Sequence, residues 1–184
     1  MEAKKLEKNE QIDIERGYRY RYVCSDTEGF RPHSHNFYEV FLMMQGEAIH
    51  TVNGKEQHLS KGQLLFIRDF DVHTYRNANG DMFAFLNLTF TIDIFKSMTE
   101  YLGDGFSAND LTEAPYPPLV TLSDKDRERL FYSITTLESG DERGKKVRFR
   151  SLLMNIFTQY FYKYSYKNNE IPLWLEMTYE KIKA

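Results

Sequence analysis

The chain has 184 residues, a formal net charge of −3 and one cysteine, Cys24. That length suits one domain, or one domain with an appendage, and it is enough to bury a sizeable core. The slight negative charge gives no general attraction to nucleic acid or to anionic membranes, and one cysteine excludes an internal disulfide. No apolar run approaches the roughly 20 residues that span a bilayer, and the charged N-terminus differs from a signal peptide. A cytoplasmic protein without membrane contact is therefore predicted.

The first two segments differ in composition. Residues 1–17 are dominated by lysine, glutamate, asparagine and glutamine, which predicts a flexible N-terminal arm with little to bury. Residues 18–24 alternate aromatic with cationic side chains, the pattern of a half-buried strand. A folded barrel is therefore expected to begin near residue 18.

The next segment carries the residues most typical of a metal site. His33, His35 and Glu39 are separated by even numbers, so on one β-strand all three would project to the same face. A short apolar strand and a polar turn then bring in His73 from elsewhere in the fold. Imidazole and carboxylate together suit a divalent transition metal, with Zn, Ni, Mn, Fe and Cu all compatible. The alternative is that these histidines only form hydrogen bonds inside a barrel or contact a polar ligand.

Turn signals further along the chain predict two hairpins. Asn53-Gly54 joins two strands, because both turn residues tolerate positive φ, and pairing across it places His50 opposite Gln57 on one face. These two side chains are candidate ligand contacts, or alternatively a polar rim. Asn79-Gly80 predicts a second hairpin, between the strand that carries His73 and residues 82–90. Many short strands with such turns indicate an antiparallel barrel or jelly roll.

Three aromatic residues are expected to share the barrel interior with the metal ligands. Phe37, Phe41 and Tyr75 have the even spacing that places them on that face. They are candidates to line a ligand pocket, although filling the core is the usual role of buried aromatic residues.

Helical spacing replaces strand alternation after residue 122. Leu130, Ile134 and Leu137 mark a first helix, and Gly140 and Gly144 bracket a short loop. The apolar stripe of a longer helix follows: Phe149, Leu152, Leu153, Ile156, Phe157, Tyr160 and Tyr164. So short a loop predicts an antiparallel hairpin. The stripe could pack on the barrel or form a dimer seam, and dimerisation is favoured.

At this point the chain resembles the cupin family. The first cupin motif, H-x-H-x3-E-x6-G, is matched without a gap by His33, His35, Glu39 and Gly46. The second motif, G-x5-P-x-G-x2-H-x3-N, is matched by Gly62, His73 and Asn77, whereas Arg68 and Phe70 replace its proline and second glycine. The resemblance implies a mainly β fold, a cupin (small jelly-roll) barrel followed by an antiparallel α-helical hairpin. It also implies a metal held by His33, His35, Glu39 and His73.

The combination of a cupin barrel and a helical hairpin looks like the N-terminal half of an AraC-type transcription regulator. Residues 171–182, with Pro172 and Trp174, resemble the P-x-W-L segment that opens the DNA-binding domain of that family. The resemblance divides the chain into an arm, an effector-binding barrel, a dimerising hairpin, and a linker that begins an absent DNA-binding domain: residues 1–17, 18–122, 123–168 and 169–184.

The expected partners follow from that resemblance. They are a small-molecule effector, a second copy of the chain in a homodimer, and DNA only through the absent C-terminal domain. Within the family, the chain looks most like regulators of chito-oligosaccharide use, which makes a sugar the expected effector.

A cupin metalloenzyme, a dioxygenase or an isomerase, is the alternative. Such an enzyme needs an acid or base beside the metal, and Asp69 and Asp71 lie in the turn before His73. Turn aspartates usually only form turns, so no catalytic residue is assigned. The helical hairpin and the Trp174 segment favour the sensor, because a small cupin enzyme does not need them.

Overall fold

Two five-stranded β-sheets face each other, and helices cover the outer side of one of them. The computed structural model describes residues 4–25 and 31–162, and the following elements lie within these ranges. The strands are β1 (Lys4–Leu6), β2 (Tyr18–Cys24), β3 (His33–His35), β4 (Tyr38–Gln45), β5 (Glu47–Val52), β6 (Lys55–Ser60), β7 (Gln63–Ile67), β8 (His73–Asn77), β9 (Ala84–Phe90) and β10 (Leu119–Thr121). The helices are α1 (Lys8–Gln11), α2 (Ile92–Leu102), α3 (Ala108–Thr112), α4 (Asp124–Thr135) and α5 (Glu142–Ile156), which continues into a π-helical turn, Phe157–Phe161.

The two sheets form a sandwich, and the chain passes from one sheet to the other several times. The first sheet runs β1-β3-β8-β5-β6 and the second runs β10-β7-β4-β9-β2. All pairs are antiparallel except β1 with β3, which is parallel. The prediction of a mainly β, cupin-like barrel followed by a helical hairpin is confirmed. No helix among the described residues is long and apolar enough to cross a bilayer.

One of the two predicted hairpins is present. Strands β5 and β6 pair with His50 opposite Gln57, as expected. The turn residues Asn53 and Gly54 have φ angles of 48° and 78°, the left-handed conformations that a tight hairpin turn requires. The sequence signal was sufficient here because a two-residue turn fixes the strand register locally.

The hairpin predicted at Asn79-Gly80 is wrong. Strand β8 pairs with β3 and β5 in the first sheet, whereas β9 pairs with β2 and β4 in the second. The turn therefore carries the chain from one sheet to the other. Gly46 makes this crossing possible, because a Cβ atom there would clash with the Met82 carbonyl and lie 2.9 Å from Phe83 Cα.

The second sheet separates two apolar cores. Its inner face and the first sheet enclose one core: Val23, Phe41, Met43, Ala48, Leu59, Leu65, Ile67, Tyr75, Phe83 and Phe85. Its outer face packs against the helices, where Tyr18 stacks on Phe149 with ring centroids 4.0 Å apart. Most of the described part of the predicted α5 stripe, from Phe149 to Tyr160, is buried in this outer core. The stripe therefore packs on the barrel, the first of the two predicted alternatives.

Two helices within the predicted barrel range were not expected from the sequence. Helices α2 and α3 lie inside the range expected to be all barrel. The Thr91 side chain caps α2 by accepting a hydrogen bond from the Ile94 backbone N–H, and Phe95 and Met98 are buried on one face. The cap and the apolar spacing of Ile92, Phe95 and Met98 are a helical pattern that could have been recognised.

The described part of the N-terminal segment lies on the barrel, although its composition predicted a flexible arm. Strand β1 pairs with β3, and Ile12 is buried. The side chain of Asn36 accepts a hydrogen bond from Lys8 N and donates one to Glu7. Long-range contacts of this kind leave no trace in local composition. Residues 163–184, including Pro172, Tyr164 and Trp174, lie outside the described residues.

Candidate metal centre and adjoining cavity

The first motif does not form one strand. Its residues divide between β3 in the first sheet and β4 in the second, with a bend at Asn36 and Phe37 between them. The premise that even spacing along a single strand aligns His33, His35 and Glu39 is therefore wrong. His35 and Glu39 nevertheless approach each other, because they extend from the two facing sheets into the space between them.

Three of the four predicted ligands converge. One possible ligand atom from each of His35, Glu39 and His73 lies within 4.8 Å of the others, and all three residues are buried. His35 Nε2 is 3.9 Å from a Glu39 carboxylate oxygen, which is longer than a hydrogen bond. Two imidazoles and one carboxylate at this spacing are suited to binding one divalent transition metal ion.

The hydrogen bonds of His35 leave one ring nitrogen available for a metal. His35 Nδ1 is 2.7 Å from the Phe37 carbonyl oxygen. A carbonyl only accepts, so Nδ1 carries the proton and Nε2 of the neutral ring carries the lone pair. His35 Nε2 is buried and has no hydrogen-bond partner among the described residues. The Phe37 ring stacks on the imidazole at a centroid distance of 4.4 Å, which helps to fix the orientation of the ring.

His73 has the same arrangement. Its Nδ1 lies 3.1 Å from the Tyr75 hydroxyl and 3.4 Å from His50 Nε2. Its Nε2 is buried, and residues 4–25 and 31–162 offer it no hydrogen-bond partner. Burial, and then the charges of His33, His35 and His50, hold the His73 pKa well below its usual value. The neutral ring is the form that binds metals.

His50 and Gln57 lie on the Nδ1 side of His73. His50 Nδ1 is 3.3 Å from the Gln57 side-chain oxygen, and burial lowers the pKa of His50 to about 4. Burial also raises the pKa of Tyr75 well above its usual value. These neutral groups orient the His73 ring through its Nδ1 atom, which is the usual role of residues that surround a metal-ligating histidine.

His33 is the predicted ligand that remains outside the converging group. Its Nδ1 lies 2.9 Å from the Arg31 carbonyl oxygen, and its ring centroid is 4.3 Å from that of His73. It is opposite His73 in the β3–β8 register. His33 thus lies next to the candidate metal centre and lines the cavity described below.

A buried ion pair forms the turn that precedes His73. Arg68 and Asp71 are almost fully buried, and the Arg68 guanidinium donates to both Asp71 carboxylate oxygens at 2.9 and 2.8 Å. The Arg68 backbone N–H and the Asn53 side chain also donate to this carboxylate. Asp71 is therefore fully engaged, which removes it as a candidate acid or base. Arg68, one member of the pair, stands where the cupin motif has proline.

A cavity of about 280 Å³ adjoins the candidate metal ligands. Its lining combines both sheets with the N-terminal segment and consists of Lys4, Leu6, Gln11, Arg21, Val23, Arg31, His33, Glu39, Tyr75, Phe85 and Asn87. Of the five residues predicted to contact a ligand, Tyr75 lines this cavity. Phe41 packs edge-on against the Tyr75 ring, at a centroid distance of 5.3 Å. Phe37, His50 and Gln57 instead lie around the candidate metal ligands His35 and His73.

Sequence reasoning missed the polar residues of the cavity wall. Arg21 and Asn87 are directly opposite each other on β2 and β9, and Lys4 belongs to the segment that was expected to be flexible. Alternation along residues 18–24 could have indicated that Arg21 faces the interior, but not which side chains would lie across from it.

Comparisons with known proteins identify the family. A family model described as the AraC-like ligand binding domain matches residues 17–153. The chain belongs to this family. It is 37% identical over 54 residues to the HTH-type transcriptional activator RhaS of Yersinia pestis (strain Pestoides F), a match that covers 29% of this chain and 19% of RhaS.

Solved structures of Vibrio cholerae ToxT share the fold of this AraC-like domain. The fatty-acid-bound ToxT of strain SCE256 aligns with a TM-score of 0.54 at 12% identity, covering 80% of this chain and 56% of ToxT. ToxT of strain O395 bound to (E)-4-(8-methylnaphthalen-1-yl)but-3-enoic acid aligns with a TM-score of 0.51 at 12% identity, covering 78% of this chain and 58% of ToxT. The chain thus spans well under two thirds of each of these relatives.

Proposed function

We propose that this AraC-like domain is the sensing part of a transcription regulator, and that it binds a small effector in the cavity beside a divalent metal ion. The observation that carries the proposal is the pair of buried, unpartnered nitrogens, His35 Nε2 and His73 Nε2, next to the Glu39 carboxylate. A buried polar atom without a partner costs about 1–3 kcal/mol. A bound metal would remove that cost for both nitrogens.

The proposed metal would be held by His35, Glu39 and His73, with His33 nearby. A bound divalent ion supplies a Lewis acid that can attract oxygen atoms of an effector. The Phe37 carbonyl and the Tyr75 hydroxyl orient the two imidazoles. Because Glu39 and His33 also line the cavity, an effector there would lie against the metal ligands. A sugar is the proposed effector, by resemblance to regulators of chito-oligosaccharide use.

The N-terminal segment supports a sensing role. Lys4, Leu6 and Gln11 line the cavity, so an effector would contact the segment directly. Arg16, further along, forms ion pairs with Glu138 and Glu142 of the helical region at 3.0 and 2.9 Å. The segment therefore contacts both the proposed effector site and the helices. We propose that the helices dimerise and that DNA is bound by a domain outside this chain.

Metal titration tests the proposed centre. Purified protein is treated with a chelator, dialysed, and titrated with Zn²⁺ by calorimetry and by thermal unfolding. We expect one ion per chain and a rise in stability of about 2.7 kcal/mol when the free ion is at a hundredfold excess over its Kd. Glu39→Gln and His73→Ala should each weaken binding by at least a hundredfold, and His33→Ala by less.

His58→Ala is the matched control, because His58 is exposed on β6 and is paired only with Glu47 among the described contacts. It should bind Zn²⁺ like the original protein. Equal affinity in Glu39→Gln, His73→Ala and His58→Ala would refute the centre, as would the absence of any stoichiometric binding.

A further inference from the structure

Among the described residues, the lining of the cavity beside the candidate metal centre has more positive than negative side chains. Lys4, Arg21 and Arg31 line it, and Glu39 is its one acidic lining residue among the described residues. Within the described part of the chain, no carboxylate lies within 4 Å of any of these three cations. The half-buried Arg21 donates instead to the neutral side-chain oxygen of Gln11, at 2.9 Å.

Asn87 adds an unsatisfied acceptor to the same wall. Its side chain is more than nine-tenths buried, and its Oδ1 atom has no hydrogen-bond partner in the described part of the chain. Asn87 is the cross-strand neighbour of Arg21. A ligand that satisfied both residues would carry a hydroxyl or N–H donor for Asn87 and an acceptor, preferably anionic, for the Arg21 guanidinium.

The size of the cavity and its apolar surface further restrict the class of ligand that it can bind. Val23, Tyr75 and Phe85 form an apolar part of the lining, which can contact the carbon face of a ring. A volume of about 280 Å³ is at the small end of ligand pockets, and it suits a monosaccharide-sized molecule better than an oligosaccharide.

We infer that the effector of this cavity is a compact hydroxylated carboxylate of the size of an acidic monosaccharide. Its carboxylate pairs with Arg21, with Arg31 and Lys4 at the mouth, and a hydroxyl donates to Asn87 Oδ1. This inference rests on the proposed function, since it names the class of effector for the same cavity. Charge supports it as well, because a divalent ion held by Glu39 and the two imidazoles would add net positive charge to a wall that already carries three cations.

Calorimetry with matched acidic and neutral sugars tests the inference on Zn²⁺-loaded and chelator-treated protein. The pairs are D-galacturonate with D-galactose and D-glucuronate with D-glucose. We expect at least one acid to bind tenfold or more tightly than its neutral partner, with the difference decreasing as salt is raised. Arg21→Gln should reduce acid affinity by roughly tenfold to a hundredfold, the equivalent of one charge-assisted hydrogen bond.

Arg19→Gln is the matched control, since Arg19 lies two residues away on the same strand and is not part of the cavity lining. It should leave affinity unchanged. Neutral sugars that bind as tightly as the acids would overturn the anionic effector and leave the proposed sugar sensor standing. Absence of binding by all four compounds would overturn both the acidic and the neutral sugar, while the separate Zn²⁺ titration still decides the metal centre. Equal losses in Arg21→Gln and Arg19→Gln would also overturn the assignment.

Discussion

Asp71→Asn tests whether the buried Arg68–Asp71 pair holds the turn before His73. The substitution preserves the shape of the side chain but removes its charge. It also replaces one acceptor oxygen by a donor, which faces the Arg68 guanidinium in either orientation of the amide, together with the Asn53 amide in one orientation and the Arg68 backbone N–H in the other. An arginine cannot lose its proton to escape the resulting imbalance.

The expected loss of stability in Asp71→Asn follows from the burial of the ion pair. Arg68 and Asp71 side chains are 1% and 0% exposed, so Asp71→Asn leaves an uncompensated buried charge. Breaking such a pair from one side costs about 3–5 kcal/mol. Because His73 follows Asp71 by two residues, we also expect metal affinity to decrease by roughly tenfold, as when a residue that supports a metal ligand is lost.

Urea unfolding of the metal-free protein measures the cost, with an unchanged m value confirming that the folded and unfolded states are comparable. Glu56→Gln is the control, because it breaks the exposed Arg76–Glu56 pair and should cost less than about 1 kcal/mol. The double variant Arg68→Met/Asp71→Leu should recover much of the loss, since it leaves no buried charge. If Asp71→Asn costs no more than Glu56→Gln, the proposed role of the pair is wrong.

Two further predictions concern the sheet crossing and the helices. Gly46→Ala should destabilise the protein by several kcal/mol in urea unfolding, since it combines positive φ with a backbone clash. Gly54→Ala should cost only the roughly 1–2 kcal/mol of a left-handed alanine, because its Cβ would meet no described atom within 4 Å. Equal costs for the two substitutions would contradict the clash. For the proposed dimer, Val147 and Tyr132 are 67% and 70% exposed on α5 and α4, so Val147→Asp should shift micromolar protein towards monomer in sedimentation equilibrium, with Tyr101→Asp on α2 as the control. A protein that is monomeric before substitution would refute the dimer.

Sequence patterns were most successful where chemistry or local geometry fixed the answer. The β5–β6 hairpin follows from Asn53-Gly54, because a two-residue turn with positive φ determines the register of its strands. The convergence of His35, Glu39 and His73 agrees with the expectation from residue type and from resemblance to a family motif, and their role as metal ligands stays a prediction. The even-spacing argument for one strand is disproved by the bend at Asn36 and Phe37, so the prediction now depends on residue type and on the motif resemblance.

The remaining features depend on contacts between distant residues. The turn at Asn79-Gly80 contains no information about which sheet β9 joins, because strand pairing is decided by the whole barrel. The neighbourhood of Arg21 and Asn87 is equally inaccessible, since these residues are 66 positions apart and meet only through the β2–β9 register. The N-terminal segment was expected to be flexible because its composition is polar, yet one buried residue, Ile12, and two hydrogen bonds to Asn36 place it on the barrel.

The two faces of β2 indicate how an occupied cavity could be sensed by the helices. Arg21 faces the cavity, whereas Tyr18 on the opposite face stacks on Phe149 of α5. A shift of this strand towards a bound anion would therefore move a residue that packs directly against the helical hairpin. The N-terminal segment provides a second connection, from Lys4 at the cavity to Arg16 at Glu142 of α5. Either connection transmits effector binding only if strand and helix have two arrangements and the effector binds them with different affinities. The densely packed aromatic outer core favours discrete arrangements over gradual deformation, because close-packed side chains transmit small displacements instead of absorbing them.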